Sequence, residues 1–579
     1  MKLLDALSLA QQAPSGAAPF RALLACGFTP LHLQTFLAGH LQLRLPAQRV
    51  EIQTGLFGDL AGALAGIARG GCDAAAVVIE WADLDARLGL RSLGGWRPSM
   101  LPDIVRAVRE RLDHLRASLD ATGGRLPIAV AMPTLPLPPI ATTAAWHASS
   151  FELELRAAVA DFSVEVAMLP LVRIVSGQEL DRLSAPSKRL DVRSELDAGH
   201  PYTLAHAEAT AGLLALLLAP SPTKKGLIVD LDGTLWRGIV GDDGPGGVRW
   251  DLDGHAQTHG LLQQVVRSLA DQGVLVAIAS KNERAVVEEA LARSDLLVDP
   301  AQIFPIEAHW GPKSESVRRI LTAWNIGADS VVFIDDSPME LAEVRAAFPD
   351  VECLRFSGDP GDVGAAAALL ERLRALFGRD TLTAEDTLRV ASLRGAADAE
   401  REGTLTSPET FLQGLEAVLD VDLHKLPPDP RALELVNKTN QWNLNGRRET
   451  EADWRVRLDD ADTFVLVASY RDKYGPLGKI AVMRGRRRGR ALAIDTWVMS
   501  CRAFARRIEH RCVEQLFQRF DADEIVFDYA PTDRNAPLRE HLAALLGDAP
   551  HPGLRLARSR FLSICPPLYH TASEAQERP

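Results

Sequence analysis

Lys225-Gly-Leu-Ile-Val-Asp230-Leu-Asp232-Gly233-Thr234-Leu235 is the stretch on which the reading of this chain turns. The apolar run at 227–229 has the character of a buried parallel strand. It stops at two aspartates one residue apart, followed by a Gly-Thr turn. Side chains alternate along a strand, so Asp230 and Asp232 can face one crevice at its carboxyl end. Ligands bind at that edge of open α/β sheets. One carboxylate can attack phosphorus while the other handles protons, with Mg²⁺ between them and the phosphate. Taken alone, Asp-Gly would equally suit a surface turn.

Three further features stand behind the two aspartates. Val276-Ala-Ile-Ala-Ser280-Lys-Asn282 is a second buried strand, ending in a hydroxyl that can bond a phosphate oxygen. Gly311-Pro-Lys313 places an ammonium just before a predicted helix, where it can neutralise a phosphate. Val331-Val-Phe-Ile-Asp335-Asp336 is a third such strand, ending in two carboxylates suited to Mg²⁺, which prefers oxygen ligands and keeps several waters. Asp335-Asp336 alone could simply cap a helix. In this order, however, the four resemble the motifs of the haloacid-dehalogenase superfamily of phosphohydrolases. That resemblance implies Asp230 as nucleophile, Asp232 as general acid/base, and Lys313 and Ser280 on the phosphate, with Thr234 and Asn282 as further substrate contacts. Its metal ligands would be Asp230, Asp232, Asp335 and Asp336. About 50 residues separate Asp230 from Ser280, and about 30 separate Ser280 from Lys313, so neither gap holds a full cap domain.

A length of 579 residues suggests about three or four domains. A hydrophobic content of 47% is ample for packed cores, and a net charge of −12 argues against a nucleic-acid binder. The 6 cysteines are scattered and form no CxxC pair, which excludes a disulfide framework and a zinc module of that type. No basic-then-apolar leader and no bilayer-length apolar run is present, so a soluble cytoplasmic protein is expected.

Residues 1–219 alternate strand-like pieces (21–26, 49–53, 74–79, 127–131, 163–169) with helix-like ones (35–45, 60–69, 103–119), the pattern of a three-layer parallel α/β domain. Residues 220–365 form the phosphatase-like α/β domain, and 366–405 a helical connector. From 406 to 579 the pattern becomes α+β, with strands at 463–470, 478–484, 491–499 and 524–529 and a helix near 502–519. The tail after His570 reads as frayed.

The stretch Asn437-Lys438-Thr-Asn440-Gln441-Trp-Asn443-Leu-Asn445-Gly-Arg-Arg448 is dense in amides. It reads as a polar-ligand cradle or, more plainly, as a polar loop with helix caps. Downstream, Asp495 and Cys501 would share a strand face, and Cys501 would start a helix beside Arg502. Helix dipole and guanidinium would then lower its thiol pKa, or the cysteine is merely buried and inert. The basic run Arg484-Gly-Arg-Arg-Arg-Gly-Arg490 reads as a hairpin connection, either solvated or a dock for an acidic partner.

VDLDGTLWRGIVGDDG, IASKN, FIDDSPMELAEVR, NKTNQWNLNGRR, DKYGPLG and IDTWVMSCR together resemble the FkbH-like family, whose phosphatase part is haloacid-dehalogenase subfamily IIIC. The likeness spans roughly 220–570. It implies an enzyme that draws a glyceryl unit from 1,3-bisphosphoglycerate, removes phosphate and loads glyceryl, or lactyl in some relatives, on an acyl carrier protein in polyketide-type pathways. Cys501 would accept the acyl group, with Asp495, Asn440 and Arg502 as helpers and Lys438, Gln441 and Asn443 as substrate contacts. The C-terminal part resembles the acetyltransferase-type GNAT fold, but Arg502-Ala-Phe-Ala-Arg-Arg507 lacks the glycines of that fold's pyrophosphate loop. The N-terminal part resembles SGNH hydrolases. Asp197-Ala-Gly-His200 fits their Asp-x-x-His ending, yet no Gly-Asp-Ser nucleophile follows the first strand, so a non-catalytic domain is expected. A plain Mg²⁺ phosphohydrolase of a small metabolite or phosphoprotein, and a carrier-binding scaffold, are the competing readings.

Overall fold

The computed structural model describes residues 1–12, 14, 16–122, 124–141, 143–379, 393, 408–439, 441–500, 503–504, 506–547, 550–551 and 553–574. Two compact units are present: Met1–Ser221 with Thr450–Val456, and Pro222–Glu449 with Arg457–Pro579. Among the described residues no helix is long and apolar enough to cross a membrane.

The first unit is built on five parallel strands: β1 (Pro19–Ala25), β2 (Arg49–Thr54), β3 (Ala74–Val78), β4 (Ile128–Ala131) and β5 (Val172–Ile174), in the order β2-β1-β3-β4-β5. Alternation sends Leu23, Ala25, Ala75 and Val77 to one face and Ala22, Leu24, Ala76 and Val78 to the other. Helices cover both faces, giving three layers. The strand expected at 163–169 is not one. Those residues lie largely within helix Ser150–Ala167, which buries Phe151, Leu155, Ala158, Phe162 and Val166 at helical spacing. The fifth strand is β5 instead.

The second unit holds two sheets. In the first, β6 (Gly226–Val229), β7 (Leu275–Ser280), β8 (Ile303–Ala308), β9 (Val331–Asp335) and β10 (Glu352–Arg355) run parallel in the order β10-β9-β6-β7-β8. The three central strands are buried throughout, while β8 and β10 are edge strands with mostly half-buried side chains. Helix Lys313–Trp324 runs back across this sheet. Its last residue, Trp324, lies against Gly226, where a Cβ would come within 2.4 Å of the indole. A helix of this length spans about 18 Å, so anchoring Trp324 at the start of β6 carries Lys313 toward the strand's carboxyl end.

The second sheet is mixed: β11 (Val418–Asp422), β12 (Thr463–Asp472), β13 (Gly475–Arg488), β14 (Ala491–Met499), β15 (Glu524–Phe527), β16 (Leu554–Ala557) and β17 (Thr571–Glu574), in the order β16-β15-β14-β13-β12-β11-β17. The tail after His570 therefore begins as an edge strand, parallel to β11, rather than fraying at once. The helix expected near 502–519 starts later, as Ile508–Phe520. Arg484 does not lie in a hairpin connection. It sits within β13, 1% exposed, with its guanidinium on Glu449 (2.6 and 2.7 Å) and Asp495 (2.9 Å). The turn itself is confined to Gly489 and Arg490.

Gly226→Val is expected to overpack the Trp324 contact. A loss of about 1–3 kcal/mol should lower the urea midpoint of unfolding; an unchanged midpoint would mean that the contact does not position the helix.

Candidate active site

Three adjacent strands deliver the site. Asp230 directly follows β6, Ser280 ends β7 and Asp335 ends β9. Register pairs Val229 with Ile278 on one side and Ile334 on the other, and the Asp230 N–H donates to the Ile334 carbonyl at 3.0 Å. Lys313, 3% exposed, opens its helix above this edge. Its ammonium donates to Asp230 Oδ1 and to the Ala279 carbonyl, and lies 3.3 Å from Asp335 Oδ2. Burial pushes the Asp230 and Asp335 carboxyls upward, while Lys313 pulls against that shift. Burial works against the Lys313 charge too, but the two carboxylates outweigh it and hold the ammonium above its ordinary range.

Asp230, Asp335 and Asp336 each offer one carboxylate oxygen, all within 4.8 Å of one another. Asp335 Oδ1 accepts from the Ser337 N–H at 2.8 Å, while its buried Oδ2 has only the Lys313 ammonium beside it, at 3.3 Å, among the described residues. Gly233, at φ +71°, makes room for Asp336: a Cβ there would stand 2.6 Å from Asp336 Oδ2. An all-oxygen donor set of three neighbouring carboxylates fits a hard divalent cation such as Mg²⁺.

The carboxylate of Asp232 is not in that group. Its Oδ1 accepts from the Trp236 indole (2.8 Å) and the Val240 N–H (3.0 Å), and its Oδ2 from Asn282 Nδ2 (2.7 Å). The expectation of Asp232 among the metal ligands is thereby corrected: its side chain turns one oxygen to the loop after β6 and the other to Asn282 beyond β7, apart from the three grouped carboxylates. Asn282 also donates to Ser280 Oγ at 2.9 Å, tying the two motifs together. Thr234 is fully buried, and its hydroxyl has no hydrogen-bond partner among the described residues.

The amide-rich segment serves the backbone. β15 pairs with β14 only from Ala491 to Ile494, and residues 442–444 fill the gap where the two diverge. Leu444 N–H donates to Trp497 O, and Met499 N–H donates to Trp442 O. Asn443 caps the Asn445 and Gly446 N–H groups and donates to Thr439 O. Asn445 donates to the carbonyls of Asp495 and Asp528, and Asn437 bonds Glu449 through both its donor and its acceptor. The plain reading, a polar loop with caps, thus describes these amides better than a ligand cradle. Lys438 pairs with Glu434, Gln441 is exposed, and Asp495 is held by Arg484. Asn440, Cys501 and Arg502 lie outside the described residues.

In the first unit Asp197 is exposed near Arg193, and His200 Nδ1 contacts the Thr29 carbonyl, so these two side chains form no acid–base pair with each other. A cavity of about 730 Å³ does open there, lined by Phe28, Phe57, Trp81, Asp83, Arg111 and Leu135 among others. It contains none of the residues described above, and its volume says nothing about phosphoryl chemistry.

No protein-family model and no curated protein sequence matches the chain. Among solved structures it resembles the crystal structure of the N-terminal part of protein BF1531 from Bacteroides fragilis, described as containing a phosphatase domain complexed with Mg. The TM-score is 0.54 and the identity 21%, over 66% of this chain and 100% of that one. The likeness is one of fold.

Gly233→Ala is expected to displace Asp336 and to strain the backbone by about 1–2 kcal/mol. Thermal unfolding with and without Mg²⁺ checks it: the midpoint rise on adding Mg²⁺ should be smaller in the variant, and an equal rise would remove Asp336 from the cation site.

Proposed function

We propose that this protein is a Mg²⁺-dependent phosphohydrolase that works through an aspartyl phosphate on Asp230. The observation that carries this reading is the convergence of Asp230, Lys313, Asp335 and Asp336 at the carboxyl edge of one parallel sheet. An Asp230 oxygen attacks phosphorus, and the bond from phosphorus to the leaving oxygen breaks. Asp232 protonates that oxygen; its Oδ2 accepts one hydrogen bond from a described residue, which leaves a second lone pair for the proton. Water then attacks the aspartyl phosphate and gives its proton to Asp232, so that inorganic phosphate leaves and both carboxyl groups are restored. Lys313 neutralises charge on the phosphoryl oxygens, and Ser280 can donate to one of them. Mg²⁺ held by Asp230, Asp335 and Asp336 would supply further charge neutralisation.

A narrower reading rests on this chemistry. The substrate would be the phosphoglyceryl unit of 1,3-bisphosphoglycerate. The Cys501 thiolate would attack the acyl carbon, and the acyl–phosphate bond would break, releasing inorganic phosphate. The Asp230 site would remove the remaining phosphate ester. The glyceryl group, or lactyl from a different donor, would then pass as a thioester to the thiol of an acyl carrier protein in the cytoplasm. Support for this narrower reading comes from the motif set of the sequence, above all IDTWVMSCR and NKTNQWNLNGRR. The alternative is a stand-alone phosphohydrolase, which needs Asp230 but not Cys501.

Intact-protein mass spectrometry after incubation with Mg²⁺ and freshly generated 1,3-bisphosphoglycerate separates the two. A glyceryl adduct on wild type that is absent in Cys501→Ala, with a phosphoglyceryl adduct persisting in Asp230→Asn, supports covalent loading. Phosphate release without any adduct leaves the phosphohydrolase alone. Asp230→Asn should abolish hydrolysis of the phosphate ester in either case, leaving only the one phosphate that acyl transfer to Cys501 would free, and Asp232→Asn should slow ester hydrolysis by roughly 10²–10⁴-fold. Full activity of Asp230→Asn would overturn both readings.

A further inference from the structure

A second cluster of metal-ligating side chains lies in the C-terminal part, on residues that the phosphoryl chemistry does not use. Helix Ile508–Phe520 opens on Glu509 and His510, and helix Ala536–Leu546 brings His541 to them. Each residue offers one ligand atom, and the three atoms lie within 4.8 Å of one another. His510 Nδ1 is 3.3 Å from Glu509 Oε1, and the His510 and His541 rings meet edge to face at 4.8 Å.

The second observation is what these groups lack. Among the described residues Glu509 Oε2 and His541 Nε2 are buried without a hydrogen-bond partner, His510 Nδ1 has only its 3.3 Å approach to Glu509 Oε1, and Glu509 is only 9% exposed. The walls are aromatic: Trp442 and Trp497 stand 5.0 and 5.8 Å from the His541 ring, and neither indole N–H has found a partner. A buried carboxylate oxygen beside an unpartnered imidazole nitrogen is costly unless something accepts their lone pairs.

We propose that Glu509, His510 and His541 form a binding site for a divalent transition-metal ion, Zn²⁺ or one of similar preference, that ties the first turn of helix Ile508–Phe520 to helix Ala536–Leu546. Two imidazoles and one carboxylate are a donor set for such ions, with a further position left open. Mg²⁺ prefers oxygen ligands in near-octahedral arrangement and suits this site poorly. The two clusters thus sort cations by donor chemistry: oxygen only at the end of β6 and β9, nitrogen-rich here.

Full-length protein, stripped with a chelator and kept in saturating Mg²⁺, is titrated calorimetrically with Zn²⁺ alone. One saturable Zn²⁺ per chain is expected, retained in Asp335→Asn and lost in His541→Gln. Co²⁺ in place of Zn²⁺ should give a visible ligand-field band that disappears in the same variant. Should His541→Gln not fold, His510→Gln, whose side chain is 16% exposed in the parent, takes its place with the same expected loss. Circular dichroism checks folding in each case. No saturable Zn²⁺ on the wild type, or binding unchanged in a folded histidine variant, overturns the proposal.

Discussion

Lys313 holds an ammonium ion where the sheet would otherwise collect only negative charge. Two carboxylates, Asp230 and Asp335, are buried at neighbouring strand ends, and a charge taken out of water is tolerated only when paired. The ammonium meets both and also the Ala279 carbonyl of β7, so one group spans the three central strands. Its position depends on the far end of its own helix, where Trp324 rests on the bare backbone of Gly226. Packing at the amino end of β6 and electrostatics at its carboxyl end are therefore two ends of a single constraint. The carboxylate oxygens grouped beside it, from Asp230, Asp335 and the half-buried Asp336, define where a cation belongs.

Much of this edge was legible in the sequence. Central parallel strands are buried on both faces and read as unbroken apolar runs, so β6, β7 and β9 stand out, and their chemistry sits where each run stops. Strands at sheet edges carry no such signal. β8 contains Pro305 and Glu307 with mostly half-buried side chains, and β10 is the short Glu-Cys-Leu-Arg. Both escape a search for apolar runs. The segment 163–169 misleads for the opposite reason: its Val-Glu-Val alternation mimics a strand over a few residues, and only the longer window from Phe151 to Val166 reveals the helical period.

Side-chain roles that depend on distant backbone were not legible at all. Nothing in Asn-Lys-Thr-Asn-Gln-Trp-Asn-Leu-Asn tells that β14 and β15 will part after Ile494, leaving carbonyls and N–H groups for a third segment to satisfy. Asn443, Asn445 and Asn535 close that gap by bonding backbone rather than ligand. Buried backbone polar groups must be paired, and an amide side chain, with donor and acceptor on one plane, does this where a sheet cannot. The same holds for Arg484, which reads as part of a basic turn but is drawn into β13 by Glu449 and Asp495.

Asp232 shows how the loop and the chemistry are joined. One of its oxygens receives the Trp236 indole and the Val240 N–H, both from the segment that follows β6, and the other receives Asn282 from the end of β7. Trp236 and Val240 belong to the buried cluster that also contains Leu227, Val229 and Val276. The loop is thus packed on the core, and the carboxylate is fixed by what packs there. The proton role proposed for Asp232 needs a defined orientation before it needs a tuned acidity, and here orientation comes from a tryptophan, a backbone N–H and an asparagine that also touches Ser280. The order of the loop and the aim of Asp232 are in this sense one structural fact, which is why two aspartates a single residue apart can face different surroundings: Asp230 turned to the ammonium and the cation site, Asp232 to the loop and Asn282.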